Sequence, residues 1–296
     1  MKASVLLNAA AGLRPGQVQG EAARVRELFA SVGVDAEVRQ VPGPGLLAAA
    51  REAAASDAGV VVMGGGDGTM SAGAGGLAGT GKPMGLLPLG TLNHFARDLG
   101  IPTELAEAVR NVAEGAVREV DVGEANDRVF VNNSSFGLYP AAVSLRNAWM
   151  QQHSMHKWVA MGRAALDTLR RFPVLRLTLQ LPEGSRNVTT PMVFIGNNRY
   201  ETKLFALGKR PALDEGELWV YLARDAGRFR FLRLALRALV GRLDDSRDFQ
   251  GVCAREMLVE DRRRELRVAF DGEVSHVAPP ILYRIRPRAL RVIVPR

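Results

Sequence analysis

The sequence has few of the residues that build disulfide-rich or zinc-binding proteins. Its 296 residues include one cysteine, Cys253, and four histidines. A single cysteine excludes an intramolecular disulfide, which fits a reducing compartment. We therefore expect a cytoplasmic protein in which Cys253 is a small buried core residue.

Long hydrophobic runs are also missing. No stretch of 18 or more uncharged apolar residues occurs, so no segment is expected to cross a bilayer as a helix. Lys2 and the apolar run after it have the order of a signal peptide, but Asn8 ends that run after a few residues. A first β-strand over Ala3–Leu7 is the better interpretation.

Acidic residues are too few to balance the basic ones in the second part of the chain. Residues 1–125 carry 10 basic and 14 acidic side chains, a net charge of −4, whereas residues 126–296 carry 29 and 17, a net charge of +12. Aromatic residues make up only 6% of the chain, and no known nucleic-acid-reading module is present. We predict that the second part faces an anionic membrane surface and that nucleic acid is not a partner.

Strand and helix patterns alternate in residues 1–125. Aliphatic runs predict strands at Ala3–Leu7, Val34–Arg39, Val60–Met63 and Met84–Leu87. Ala-rich stretches predict helices at Gln17–Val32 and Leu46–Ser56. This order predicts a Rossmann-like α/β domain with a mostly parallel sheet, whose ligand lies at the carboxyl ends of the strands.

Residues 126–296 follow a different pattern. Leu175–Leu181 and Leu266–Phe270 alternate apolar and polar residues, as half-buried strands do. Six more strands are predicted, at Arg128–Asn132, Met192–Gly196, Glu217–Leu222, Glu256–Glu260, Ile281–Arg286 and Leu290–Val294. These runs predict an antiparallel β-sandwich domain, with room for the last strand to return to the first domain.

A buried strand runs directly into a glycine-rich turn. The residues after Val60–Met63 are Gly64-Gly65-Gly66-Asp67-Gly68-Thr69, and an Ala/Gly-rich helix follows. Glycines let a phosphate approach main-chain N–H groups, and the helix N-terminus favours an anion. Asp67 either acts through Mg²⁺ or holds the turn.

A second loop follows the next predicted strand. It reads Pro88-Leu89-Gly90-Thr91-Leu92-Asn93-His94-Phe95-Ala96-Arg97. Pro88 and Gly90 shape a turn, and Thr91 or Asn93 can cap the next helix. Neighbouring parallel strands would bring both loops to one crevice, where we expect a nucleotide.

Together the two loops resemble the diacylglycerol kinase catalytic family, which includes soluble bacterial lipid kinases and the sphingosine and ceramide kinases. The segments Asn132–Gly137, Leu213–Leu218 and Asp271–Glu273 match the same family in the same order, so the resemblance covers nearly the whole chain. It implies transfer of the γ-phosphoryl group of ATP, with Mg²⁺, to a lipid hydroxyl such as that of diacylglycerol, ceramide or a sphingoid base.

The resemblance also implies roles for single residues. Glu273 would be the general base, with Asp67 as the second catalytic residue. The nucleotide would contact Asn8, Gln40, Gly65, Gly66, Asp67, Gly68, Thr69, Met70, Ser71, Thr91 and Asn93. Related bacterial members hold a structural Mg²⁺ at an acidic turn, here with the Glu215 side chain and the carbonyls of Ala212 and Glu217.

The chain departs from the family pattern in two places. Many members carry Asn or His and then Glu where this chain has Ser71 and Ala72. The acidic turn has Glu215 where Asp is usual. Both Asp67 and Glu273 are present.

Two helical inserts are predicted in the second part, at Pro140–Arg171 and Phe229–Leu243. The second has one apolar face flanked by arginines. Such a helix either packs its apolar face on the core or lies in a membrane interface with its arginines at anionic head groups.

Two other functions compete with the lipid kinase. An NAD kinase shares a Gly-Gly-Asp-Gly-Thr loop and a sandwich domain, although the second loop and the Asp-Gly-Glu segment argue against it. A catalytically silent nucleotide- or lipid-binding regulator is suggested by Ala72. The sequence specifies neither the acceptor lipid nor the oligomeric state.

Overall fold

The computed structural model describes residues 1–9, 17–138, 140, 174–200, 210–223 and 249–296. Apart from Pro140, both predicted helical inserts lie outside these residues. Within the described ranges, no helix is long and apolar enough to span a bilayer.

The first part of the chain forms a parallel sheet with helices on both faces. Its strands lie in the order β2-β1-β3-β4, with bounds β1 Lys2–Asn8, β2 Asp35–Val41, β3 Val60–Gly65 and β4 Met84–Pro88. The helices are α1 Gln17–Ser31, α2 Leu46–Ala55, α3 Asp67–Leu77, α4 His94–Asp98 and α5 Leu105–Glu114. The Rossmann-like prediction is confirmed for this sheet.

The alternation of side chains along the strands explains the two helical layers. On β1, Val5 packs with Phe29 of α1 and Val109 of α5 in one apolar cluster. The next residue, Leu6, packs with residues of α2 and α3 in a second cluster on the opposite face. β3 lies between β1 and β4 and is buried along its whole length. The glycine-rich turn follows this central strand.

The parallel sheet continues into the second part of the chain without a break. Ten strands belong to it, and the further six are β5 Ala116–Ala125, β6 Arg128–Phe130, β8 Leu175–Leu181, β9 Gly184–Thr190, β13 Glu256–Glu260 and β16 Ile281–Val294. β16 joins the halves because it pairs with β5 along nearly its whole length, with β4 at one end and with β13 at the other. The sequence predicts two strands in this segment, Ile281–Arg286 and Leu290–Val294. The structure has one continuous strand, with a register shift between Arg286 and Leu290 around Pro287.

A second sheet has six strands, in the order β12-β11-β10-β7-β14-β15. Their bounds are β7 Asn133–Gly137, β10 Met192–Asn197, β11 Leu218–Ala223, β12 Phe249–Ala254, β14 Leu266–Phe270 and β15 Glu273–Val277. All neighbours in this sheet are antiparallel. Its inner face packs on β8, β13 and β16 around Phe136, Phe270 and Tyr283, so the predicted β-sandwich is confirmed.

The expected core position of Cys253 is wrong. Val252 packs in the sandwich core, so the next residue on β12 faces outward, and Cys253 is exposed. Partial desolvation, the hydrogen-bonding side chain of Glu217 and the negative charges of Glu217 and Glu215 together raise the pKa of the Cys253 thiol to about 12.

Candidate active site

The two predicted loops meet at the carboxyl ends of β3 and β4. The Leu89 N–H donates to the Gly65 carbonyl at 3.0 Å. A Cβ on Gly90 would lie 2.5 Å from the Gly66 Cα, which no side chain tolerates. Glycine at position 90 is therefore required for the two loops to touch, and the predicted crevice begins at this contact.

Asp67 fastens one loop to the other. Its carboxylate accepts hydrogen bonds from the backbone N–H groups of His94 and Phe95, both at 3.1 Å. A third bond comes from the Asn132 side-chain amide at 3.2 Å. These three bonds hold the turn, which is one of the two roles considered for Asp67.

Asn93 gives its loop its shape. Its side-chain oxygen accepts from the Gly90 N–H at 3.0 Å, and its amide nitrogen donates to the carbonyls of Gly90 and Pro88. The residue is left-handed, with φ of 50°, and 6% exposed. Thr91 beside it is exposed, so within this loop it is Thr91 that lies open to a ligand.

The other residues predicted to contact a nucleotide surround the first turn of α3. The Asn8 amide donates to the Thr69 hydroxyl at 2.9 Å, and Gln40 lies at the carboxyl end of β2, opposite Leu7. Met70 is 2% exposed and belongs to the apolar core. Its side chain is therefore turned away from the crevice, and only its main chain is placed to contact a ligand.

Glu273 lies directly against the glycine-rich turn. A Cβ on Gly68 would be 2.2 Å from the Glu273 Oε1 atom, so the carboxylate contacts the backbone of the first turn of α3. Its Oε2 atom is 3.4 Å from Arg128 Nη2. The fold thus brings the predicted base, from the second sheet, to the predicted phosphate loop, from the first.

Asp271 holds the Glu273 hairpin in place. Its carboxylate accepts the backbone N–H groups of Val131, Asn132 and Asn133 at 2.8 to 2.9 Å. Burial raises the pKa of Asp271, although those N–H groups and the Ser71 hydroxyl act to lower it. The sequence identifies Asp271 only as part of the Asp271–Glu273 segment. Its position two residues before Glu273 was the signal that could have indicated its supporting role.

Arg210 lies behind the loops, and no local pattern in the sequence indicated it. Its side chain is fully buried and donates from Nε to Asp98 at 2.7 Å. Nη2 donates to the Asn132 side-chain oxygen at 2.8 Å, and Nη1 to the carbonyls of Val131 and Asn197. Since Asn132 also binds Asp67, one buried arginine connects α4 and the second sheet to the glycine-rich turn.

The acidic turn is a separate element. The Gly216 N–H donates to Asp121 at 2.7 Å, and the Asn198 N–H donates to the Glu217 carbonyl at 3.0 Å. Glu215 is exposed. Among the described residues, no group of three or more acids, histidines or cysteines could hold a metal.

A nucleotide fits the crevice better than a bare metal ion does. α3 begins after Gly66, and Gly68 lies in its first turn. Because Gly68 has no side chain, the backbone of this turn is accessible beside Glu273. Backbone N–H groups at a helix N-terminus suit phosphate oxygens.

At the acidic turn, one carboxylate and two carbonyls suit a hydrated Mg²⁺, which keeps several waters.

Comparison with known proteins agrees with this arrangement. Residues 2–125 match the diacylglycerol kinase catalytic domain, and residues 137–294 match the YegS C-terminal NAD kinase beta sandwich-like domain. A protein of Pseudomonas putida named "Probable lipid kinase YegS-like" is 30% identical, with 82% of this chain and 80% of that protein covered. A similarly named protein of Chromohalobacter salexigens is 29% identical over 76% of this chain and 72% of its own length.

Solved structures share the fold. A diacylglycerol kinase from Bacillus anthracis superposes with a TM-score of 0.70 over 99% of this chain and 96% of its own, at 19% identity.

Proposed function

The chain belongs to the diacylglycerol kinase catalytic-domain family, and on that premise we propose that this lipid kinase transfers the γ-phosphoryl group of ATP to a lipid hydroxyl in the crevice between Gly68 and Glu273. The observation that carries the proposal is the contact of the Glu273 carboxylate with the first turn of α3. That contact places a proton acceptor beside the backbone groups that suit a phosphate.

Each residue of the crevice has a part in the proposed reaction. When bound, ATP supplies the γ-phosphoryl group. Glu273 would accept the proton of the acceptor hydroxyl while that oxygen bonds to the γ-phosphorus and the bond to the leaving ADP oxygen breaks. The N–H groups of the α3 turn would bind phosphate oxygens, and Asp67 would keep the two loops in register.

Magnesium has two proposed places. Mg²⁺ that accompanies the nucleotide would neutralise phosphate charge. A structural Mg²⁺ would bind the Glu215 side chain and the carbonyls of Ala212 and Glu217, and would stabilise the turn that Asp121 already anchors. Calorimetric titration of the protein with Mg²⁺, with Glu215→Ala as the comparison, tests the second place.

A panel of acceptors tests the proposed reaction. Labelled ATP would be offered with diacylglycerol, ceramide, a sphingoid base, phosphatidylglycerol or NAD, one at a time. We expect label on at least one lipid and none on NAD. Label on NAD alone would favour the NAD kinase, and label on no acceptor, with ATP still bound, would favour the silent regulator.

We also propose that the second part of the chain binds the inner face of an anionic membrane. Residues 126–296 carry the net charge of +12, and Arg262, Arg263 and Arg264 form an exposed run before β14. Binding to anionic vesicles should weaken as salt rises, because exposed charges are screened. Salt-independent vesicle binding, or tight binding to DNA at moderate salt, would contradict this part.

Arg128 is expected to aim the base. Its guanidinium lies 4.5 Å above the Phe270 ring, donates to the Ser275 hydroxyl and pairs with Glu273. Because the Glu273 side chain is 65% exposed, Arg128 limits the positions it can take. Arg128→Gln should lower kcat for lipid phosphorylation about tenfold and leave KM for ATP unchanged.

The control for Arg128 is a similar ion pair elsewhere. Arg186 is 3.5 Å from Glu183, with both side chains comparably exposed, on the edge strand β9. Arg186→Gln should leave kcat unchanged. Equal losses in the two variants would show that Arg128 has no particular effect on the base.

A further inference from the structure

A cleft of about 490 Å³ opens beside Glu273. This is within the size range of small-molecule sites. One wall is the face of α3 that carries Gly68, Ser71, Ala72 and Gly75. The other walls come from α2, from the β5–β6 hairpin and from β14 and β15. Their apolar lining residues are Leu47, Ala125, Val129, Phe270 and Val277, and the hairpin adds the polar residues Asn126, Asp127 and Arg128.

Most of the lining residues are apolar or glycine, and the base is at the end of the cleft formed by the α3 turn. Glu273 and Gly68 line the cleft together, so the end with the base is also the end at the α3 turn. Leu47, on the wall that α2 forms, is 38% exposed. It is one of four large hydrophobic side chains that are exposed in the described part of the chain, and it lies where an apolar ligand would cover it.

The α3 wall consists of small residues, and the width of the cleft differs from one of these residues to the next. A Cβ on Gly75 would lie 3.1 Å from the Leu47 side chain and 3.7 Å from that of Val129, so the cleft is narrow there. Ala72 lies one turn closer to Glu273, and its side chain ends at the methyl group. A longer side chain at position 72 would fill the space next to the base.

From this geometry we infer that the cleft holds the hydrocarbon that adjoins the reacting hydroxyl of the acceptor, and that Ala72 determines how much hydrocarbon enters. The inference rests on the proposed function, since it takes Glu273 as the base. The ligand class is a lipid alcohol whose apolar chain begins within a few atoms of its hydroxyl. Among the lining residues, Arg128 carries one positive charge and Glu273 and Asp127 carry two negative charges. The cleft therefore has no excess positive charge that would favour an anionic group.

The test uses 1,2-dioctanoylglycerol in detergent micelles as the probe. Ala72→Leu should lower kcat/KM for this probe by roughly tenfold or more, since each methylene kept out of the cleft costs about fourfold. It should also weaken equilibrium binding of the radiolabelled probe measured without ATP, while KM for ATP stays unchanged. Leu47→Ser should shift both probe measurements in the same direction, by a smaller factor.

The matched control is Ala48→Leu, which adds the same side chain to an exposed position of α2 outside the cleft. It should change neither probe measurement. If Ala72→Leu lowers the melting temperature, Leu47→Ser decides the question, because an exposed side chain adds little to the core.

Unchanged kinetics and binding in both cleft variants would overturn the inference and leave the proposed function standing. If the wild-type protein phosphorylates no lipid, the proposed function fails. In that case probe binding that Ala72→Leu removes would still support the cleft as an apolar site, and absent binding would overturn it.

Discussion

Glu273→Gln should abolish most phosphoryl transfer without unfolding the protein. The amide keeps the size of the side chain, but it cannot accept the proton of the acceptor hydroxyl. General bases contribute roughly 10²- to 10⁴-fold to a rate, so kcat should fall by about that factor. KM for ATP should change little, because the N–H groups of the α3 turn do not depend on the Glu273 charge.

Initial rates with a saturating lipid acceptor measure this effect, and Glu265→Gln is the control. Glu265 is an exposed acid at the opposite end of the same hairpin, so the substitution removes one nearby negative charge without touching the crevice. A loss of less than about tenfold in Glu273→Gln would mean that another group accepts the proton.

Arg210→Met should cause a large loss of stability. The substitution keeps an unbranched side chain of similar length but leaves the buried Asp98 carboxylate without its cation. It also removes the donor to the Asn132 side chain and to the carbonyls of Val131 and Asn197. Breaking a buried ion pair costs about 3–5 kcal/mol.

Urea denaturation of Arg210→Met, Asp98→Asn and the double variant measures this cost. Because Asp98→Asn removes the orphaned charge, the double variant should lose less than the sum of the two single variants. Arg199→Met is the control, since Arg199 is exposed and stacks on Trp219. Additive losses, or a loss below about 1 kcal/mol for Arg210→Met, would contradict the assigned role of Arg210.

The sequence predicted the parts of the fold that have strong local patterns. β3 is aliphatic and buried throughout, and the glycines after it have no role in a regular helix. β8 alternates strictly because one of its faces is in the sandwich core, and β14 repeats Leu266, Val268 and Phe270 on the same core. The approach of Glu273 to the glycine-rich turn was implied by the family resemblance and not by these patterns.

Several strands were missed because their burial does not alternate. β5 is exposed over its first four residues and buried over the last six, since it crosses from a sheet edge into the core. β9 is an edge strand whose residues are nearly all polar. Neither shows the period of two on which strand prediction depends.

The supporting residues of the site could not be predicted from local patterns. Arg210 is separated from Asp98 by 112 residues and from Asn132 by 78, and nothing near it in sequence indicates burial. The sequence left two roles open for Asp67 and predicted helix capping for Asn93, because a motif does not show which atoms of its residues are hydrogen-bonded.

The most direct test of the account is a competition between two acceptors in one reaction. Wild-type protein would receive labelled ATP with equal concentrations of NAD and of diacylglycerol in detergent micelles. The products would be separated into organic and aqueous phases. The account predicts label in a phosphorylated lipid in the organic phase, none in NADP, and loss of the lipid product in Glu273→Gln. Label confined to NADP, or lipid phosphorylation that Glu273→Gln leaves intact, would contradict it.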